Sequence, residues 1–344
     1  MAEPLAAGAV TVLDRQAEWS AADVADSNRW TYQLSDTDLV ELTEALAVAR
    51  SAADDVLDVS RETFPLPTLS VRLSEIADEL INGRGFQRIS GLPVEQVGTE
   101  DSSWIYWGIG LHLGVPWPQN AKGHLLGDVK DQGKRPDDPT ARGNELGGVG
   151  QVFHSDGSDL VGLLCLDPGV RGGESLIANA VRAHNQLVVA DPELAGVLYG
   201  GLPYDFRGEQ RDGGDPYYRV PAFSRHRDRL FVRYIRPYIE ASQRHPDAPR
   251  LSDDQRAAMD AFDALLTATD NQVEMTFAAG DMQFINNYHV LHGRRSYVDD
   301  PTTGRVRWLK RLWLATDLLG PEDRPERFQA AGATTHWAAR RSKA

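Results

Sequence analysis

The sequence predicts a mainly β fold with α elaboration: a jelly-roll double sheet (a double-stranded β-helix) with an N-terminal helical layer and helical insertions. Three observations lead there. Beyond Gly123 the apolar residues come in short, strand-length runs between Gly, Asp and Pro turns, whereas before it they recur at helical spacing. No Pro/Gly/Ser linker, low-complexity run or internal repeat divides the 344 residues. Length alone favours two domains at roughly 150 residues each, but the absence of a linker favours one. The expected division is an N-terminal extension over 1–34, a single jelly-roll domain over 35–320 and a C-terminal tail over 321–344.

From Ser35 to about Asp58, Leu39, Leu42, Ala45, Leu46 and Ala49 fall on one helical face, and Ser35 with Asp38 forms a capping box. A second amphipathic helix is expected from Leu69 to Ile81, with Gly83 placed to end it. Gly85 to Pro93 reads as a strand and turn. Thr99 to Leu113 reads as an aromatic-rich helix whose Trp104 and Trp107 belong to the core. Strands are then expected at Gln151–Asp156, Leu160–Leu166, Ser175–Asn179, Tyr217–Phe223, Arg229–Tyr234, Val273–Phe277, Met282–Asn286 and Arg307–Ala315. Helices interrupt them at about Ala183–Ala190 and Asp253–Thr267.

Composition removes several function classes. With 36 Lys+Arg against 50 Asp+Glu the formal net charge is −14, which offers no basic face for a nucleic-acid backbone. Mean hydropathy is −0.40 and the longest compact apolar stretch, Val161 to Leu166, is strand-sized, so no membrane span is expected. The acidity is uneven: residues 1–100 carry 7 basic and 18 acidic side chains, residues 301–344 carry 9 and 4. One cysteine, Cys165, excludes a disulfide within the chain, a multi-cysteine zinc site and a CxxC redox pair, and in its apolar strand it reads as a buried, inert thiol. The opening MAEPLAAGAVTVLD has an acid where a signal peptide needs basic residues, so a cytoplasmic protein is expected.

Three motifs carry the chemistry. In QVFHSDGSDLVGLLCL, Gln151 to Leu166, residues two apart on an extended strand share a face, so His154 and Asp156 would project together as two-thirds of a facial metal site. In MQFINNYHVLHGRRSY, Met282 to Tyr297, a strand meets an Asn-rich turn and two histidines, and either His289 or His292 would supply a third ligand from a distant strand. In GRVRWLKRLWLA, Gly304 to Ala315, Arg307 and Arg311 lie four apart on one strand face. A buried guanidinium there needs an anionic partner. Arg305 and Lys310 read as surface residues paired with Asp299 and Asp300, and Gln119 and Asn120, after a Pro-Trp-Pro turn, are candidate substrate contacts.

With these motifs in order, the chain from about Trp30 to Leu319 resembles the taurine dioxygenase-like (TauD/TfdA) family of iron- and 2-oxoglutarate-dependent oxygenases, within the clavaminate synthase-like superfamily. The resemblance implies Fe(II) held by His154, Asp156 and His292, because the family's distal histidine stands in an LHxR context and LHGR spans Leu291 to Arg294. It implies that Arg307 pairs with the distal carboxylate of 2-oxoglutarate, with Arg311 deeper, near substrate or cosubstrate. The family's GGxT turn corresponds to Gly172–Ser175, where Ser175 keeps the hydroxyl. The segment between His154 and that turn is shorter than in taurine-specific members, which argues against taurine as substrate.

The implied reaction uses O2 and 2-oxoglutarate, releases succinate and CO2, and oxidises a C–H bond of a small-molecule substrate. Two imidazoles and one carboxylate leave three adjacent positions on iron for the 2-oxo acid and dioxygen. Halogenases of the superfamily lack the carboxylate, so Asp156 argues for hydroxylation, with desaturation or cyclisation open to the same oxidant. A zinc hydrolase could use the same three ligands but would not need Arg307 with Ser175; a metal-free binding module on the same fold would need neither.

Overall fold

The computed structural model describes residues 10–13, 17–135, 137–210, 213–325 and 328. The remainder of the expected N-terminal extension and C-terminal tail lies outside the described residues. The N-terminal layer is built from three helices, Asp36–Ala52, Leu69–Asn82 and Thr99–Leu113. Ser35 and Asp38 form the capping box, with each side chain bonded to the other's backbone N–H. This helix ends at Ala52, short of Asp58, because Ala53 turns extended and the Asp55 carboxylate captures the Leu57 N–H in a separate turn.

Two sheets follow. The larger one orders Thr31–Gln33, Phe86–Ser90, Met282–Asn286, Leu160–Asp167 and Trp308–Ala315, with Val115–Pro116 and Leu126–Val129 both paired to the last strand. Only its first pair is parallel among these described strands. The smaller sheet runs Gln272–Met275, Ser175–Asn179, Val290–Arg294, Gln151–His154, all antiparallel. The period-2 alternation of Leu160–Asp167 explains the layering. Leu160, Leu164 and Leu166 join the helical layer, whereas Val161 and Cys165 meet Ile177, Met275 and Val290 of the smaller sheet. Gly162 lets the layers close, since a Cβ there would lie 2.5 Å from the Tyr106 hydroxyl and 2.6 Å from the Phe284 ring.

The outer face of the smaller sheet is covered by the helices Ala180–Ala190 and Asp253–Thr267. The expected strand Tyr217–Phe223 divides at Pro221, which lacks an N–H donor. Tyr217–Pro221 pairs with Gly201–Asp205, and Phe223–His226 begins a separate hairpin with Arg229–Val232. Packing extends past Leu319: Arg324 and Phe328 are buried. No helix among the described residues is long and apolar enough to cross a membrane.

Candidate active site

His154 and His292 stand directly opposite each other where Gln151–His154 pairs with Val290–Arg294, and their ring centroids are 4.2 Å apart. The first strand stops at His154, so Asp156 does not share a strand face with it as expected; the turn after the strand brings it back instead. Its carboxylate oxygens lie 4.0 Å from His154 Nε2 and 3.8 Å from His292 Nε2. One donor atom from each of the three residues falls within 4.8 Å of the others. His154 Nδ1 is 2.9 Å from the Val152 carbonyl, a contact that requires the proton on Nδ1 and leaves the Nε2 lone pair facing the cluster. His289 is buried elsewhere, against Asn286.

The electrostatics suit a divalent cation. Burial, reinforced by neighbouring His154, pushes His292 down to about 3, and burial also lowers His154. Burial opposes ionisation of Asp156, but Arg311, the two imidazoles and the Trp313 N–H outweigh it and hold the carboxyl well below its ordinary range. Two neutral imidazoles beside an ionised carboxylate form a donor set of charge −1 that needs no proton release before taking a metal. On that chemistry the residues fit Fe(II).

A second set of contacts fixes this geometry. Trp313 Nε1 donates to Asp156 Oδ2 at 2.9 Å, and Arg311 Nη1 approaches the same oxygen at 3.3 Å. Arg311 Nε donates to Gln119 Oε1, whose amide nitrogen is spent on the Leu125 and Arg311 carbonyls, all at 2.8 Å. Asn120 closes its own turn by accepting from the Lys122 and His124 N–H groups. Neither residue lines the cavity over the metal cluster.

The turn carrying Asp156 is tied down from two sides. Asn287 accepts from the Asp156 N–H at 2.8 Å and donates to the Ser158 carbonyl at 2.9 Å. Arg233 donates to the Ser155 and Asp156 carbonyls and to the Tyr218 hydroxyl. Spacing alone does not reveal Asn287 and Arg233 as anchors of this turn, because both act on backbone groups more than 70 positions away; for Trp313 the available signal is its two-residue offset from Arg311 on one strand.

The cavity above the cluster has a volume of about 370 Å³; Arg207, Arg233 and Arg311 contribute to its wall together with Phe206, Tyr218 and Tyr238. Arg142, also in the wall, is neutralised by Glu209 at 2.6 Å. Arg307 lies just before the Arg311 strand, which begins at Trp308 rather than at Arg307 as expected; it is buried, with Nη2 donating to the Gly173 carbonyl and Nη1 without a hydrogen-bond partner. Gly173 sits at φ +75°, and a Cβ there would strike the Arg307 side chain at 2.5 Å, so the Gly-Gly turn is what admits the guanidinium. Ser175 is buried two residues later and donates to Gln283 Oε1 at 3.0 Å. Arg305 and Lys310 do pair with acids, but with Asp167 and Asp128 rather than Asp299 and Asp300.

Two histidines on paired strands and a carboxylate from the adjoining turn, beneath a cavity, match the donor set of a mononuclear non-haem metal enzyme. Residues 48–313 match the family described as taurine catabolism dioxygenase TauD, TfdA family, and the chain belongs to that family. It is an Fe(II)- and 2-oxoglutarate-dependent dioxygenase. FR-33289 synthase of Streptomyces rubellomurinus is 32% identical over 86% of this chain and 88% of its own. The taurine hydroxylase-like protein SAT17 of Stachybotrys chartarum is 23% identical over 83% and 75%. The fold is shared with an asparagine oxygenase solved with Fe(II), 3-hydroxyasparagine and succinate (TM-score 0.64, 19% identity, 83% of this chain and 94% of that one). It is also shared with the non-heme iron oxygenase OrfP solved with Fe and alpha-ketoglutaric acid (TM-score 0.60, 18% identity, 88% and 98%).

Proposed function

We propose that the protein hydroxylates a small, acidic molecule, with His154, Asp156 and His292 as the iron ligands. The convergence of these three side chains beneath the cavity carries the reading. When bound, Fe(II) with 2-oxoglutarate and O2 supplies the oxidising power for a substrate C–H bond, with succinate and CO2 released. The chain's part is to hold the ligands in one protonation state, to orient Asp156 through Trp313 and Arg311, and to receive the cosubstrate's distal carboxylate at Arg307 beside Ser175. Ser175 takes part by turning its hydroxyl from Gln283 to the incoming oxygen.

Wall charge supports an acidic substrate. Glu209 is spent on Arg142, and Asp205 on Arg244 and His245. Arg207 and Arg233 have no carboxylate partner among the described residues. The aromatic side chains would flank the body of the molecule. Desaturation and cyclisation draw on the same site. The two facing sheets are read as a jelly roll, a double-stranded β-helix, with residues 35–320 as one domain; the lone buried cysteine supports a cytoplasmic setting.

The test is substrate-dependent succinate formation across small carboxylates, phosphonates and sulfonates, set against their amides or esters. Turnover is expected only with the acids, and Asp156→Ala or His292→Ala should abolish it. Equal turnover of the neutral analogues would contradict the acidic substrate. Succinate formation surviving in both ligand variants would contradict the ligand assignment.

A further inference from the structure

We infer that Arg294 and Tyr297 join Arg307 in a three-membered receiving site for the distal carboxylate of 2-oxoglutarate; this rests on the reading above and extends it to two residues outside the expected set. Three polar atoms, Arg294 Nε, Arg307 Nη1 and Tyr297 Oη, are buried without a hydrogen-bond partner, and they belong to side chains that meet at one point. The guanidinium carbons of Arg294 and Arg307 lie 4.8 and 5.3 Å from the centroid of the same Tyr297 ring. All three residues are more than nine-tenths buried.

Two buried guanidiniums on one ring repel each other, and desolvation adds to the cost unless an anion lies between them. The chain does not provide that anion. Arg294 donates to the Val149 carbonyl at 2.6 Å and Arg307 to the Gly173 carbonyl at 3.0 Å. Among the described residues no carboxylate pairs with either guanidinium; Asp299, whose charge both feel, accepts from the Arg307 backbone N–H.

The placement fits the cosubstrate's length. Arg294 follows His292 by two residues on one strand, so it projects on the same face about 7 Å further along, a span a five-carbon diacid covers. Its cross-strand partner in the register is Ser175. A 2-oxo acid whose head group is held near His292 would therefore bring its far carboxylate to Arg294, Tyr297 and Arg307.

The experiment is anaerobic calorimetry of the Fe(II)-loaded protein with 2-oxoglutarate and with 2-oxobutanoate, which shares the 2-oxo acid head but lacks the distal carboxylate. Wild type should favour 2-oxoglutarate by at least 100-fold. Tyr297→Phe keeps the ring and removes one hydroxyl; it should weaken 2-oxoglutarate about tenfold and leave 2-oxobutanoate unchanged. Arg294→Gln should weaken 2-oxoglutarate more, with the same selectivity. If Arg294→Gln does not fold, Tyr297→Phe decides. Unchanged 2-oxoglutarate affinity in the folded variants, or an equal loss for both acids, would overturn the inference and leave Arg294 only holding the loop at Val149. A wild type that binds neither acid would overturn the functional reading beneath it.

Discussion

Asp156 is constrained at both carboxylate oxygens: one meets an indole N–H and a guanidinium, and both face imidazoles. Trp313 is the cleanest handle on this arrangement. Trp313→Phe keeps an aromatic ring, though a smaller one, and deletes the 2.9 Å hydrogen bond, and loss of such an outer contact typically costs 10–100-fold in metal affinity. We expect Fe(II) affinity to fall by about tenfold with the fold intact, read by anaerobic metal titration beside circular dichroism. Unchanged affinity would show that Arg311 alone orients the carboxylate. Part of this was legible from residue types, because a chain with one cysteine has only histidine and carboxylate to hold a metal; the His-x-Asp spacing alone does not choose the site, since His226 with Asp228 and His245 with Asp247 share it, and the LHGR context of His292 is what favours His154 with Asp156. Arg294 ends the LHGR motif, but its part in the site is not legible there, since its partners are backbone carbonyls and an aromatic face, which leave no trace in spacing.

At the level of elements, the site depends on a turn rather than on a strand. Residues 155–159 leave the smaller sheet after His154 and enter the larger at Leu160, held between Asn287 on one side and Arg233 and Tyr234 on the other. Asn287→Ala removes two side-chain bonds from buried backbone, so a destabilisation of about 2–4 kcal/mol is expected from denaturant unfolding, with weaker Fe(II) binding in the folded fraction. A stability change without any change in metal binding would separate the turn from the site. The expected strand through Asp156 shows why sequence alone fell short here. Alternation places His154 and Asp156 on one face only while the strand lasts, and the Gly-Ser-Asp that follows favours the turn. Helices fared better. Asp253–Thr267 is bounded as expected, with a Ser252–Gln255 capping box and one buried face; Thr99–Leu113 also keeps its expected bounds, between Gly98 and Gly114, although it has no side-chain cap and is buried nearly all round.

For the whole molecule, acid sensitivity is expected from a group away from the site. His184, on the helix Ala180–Ala190, is fully buried against Tyr199 and Phe223, and burial pushes it down to about 4. An unfolded chain would protonate this imidazole below about 6.5 while the folded one does not. Its contribution to stability is therefore full above about pH 6.5 and is lost as pH falls toward 4, a loss of about 3 kcal/mol. His184→Gln should flatten that part of the profile in urea unfolding; an unaltered slope would contradict it. The N-terminal helical layer was readable from the sequence because helical spacing is local, whereas Leu160–Asp167 is buried on both faces, and the pairing of His154 with His292 joins segments 138 positions apart, so no local pattern fixes that register. The account's central claim is tested most directly by anaerobic addition of Fe(II) and then 2-oxoglutarate to the apoprotein, followed by visible absorption. A charge-transfer band is expected in the wild type and should be severely weakened in Asp156→Ala and His292→Ala; no band in the wild type, with zinc held tightly instead, would contradict the account.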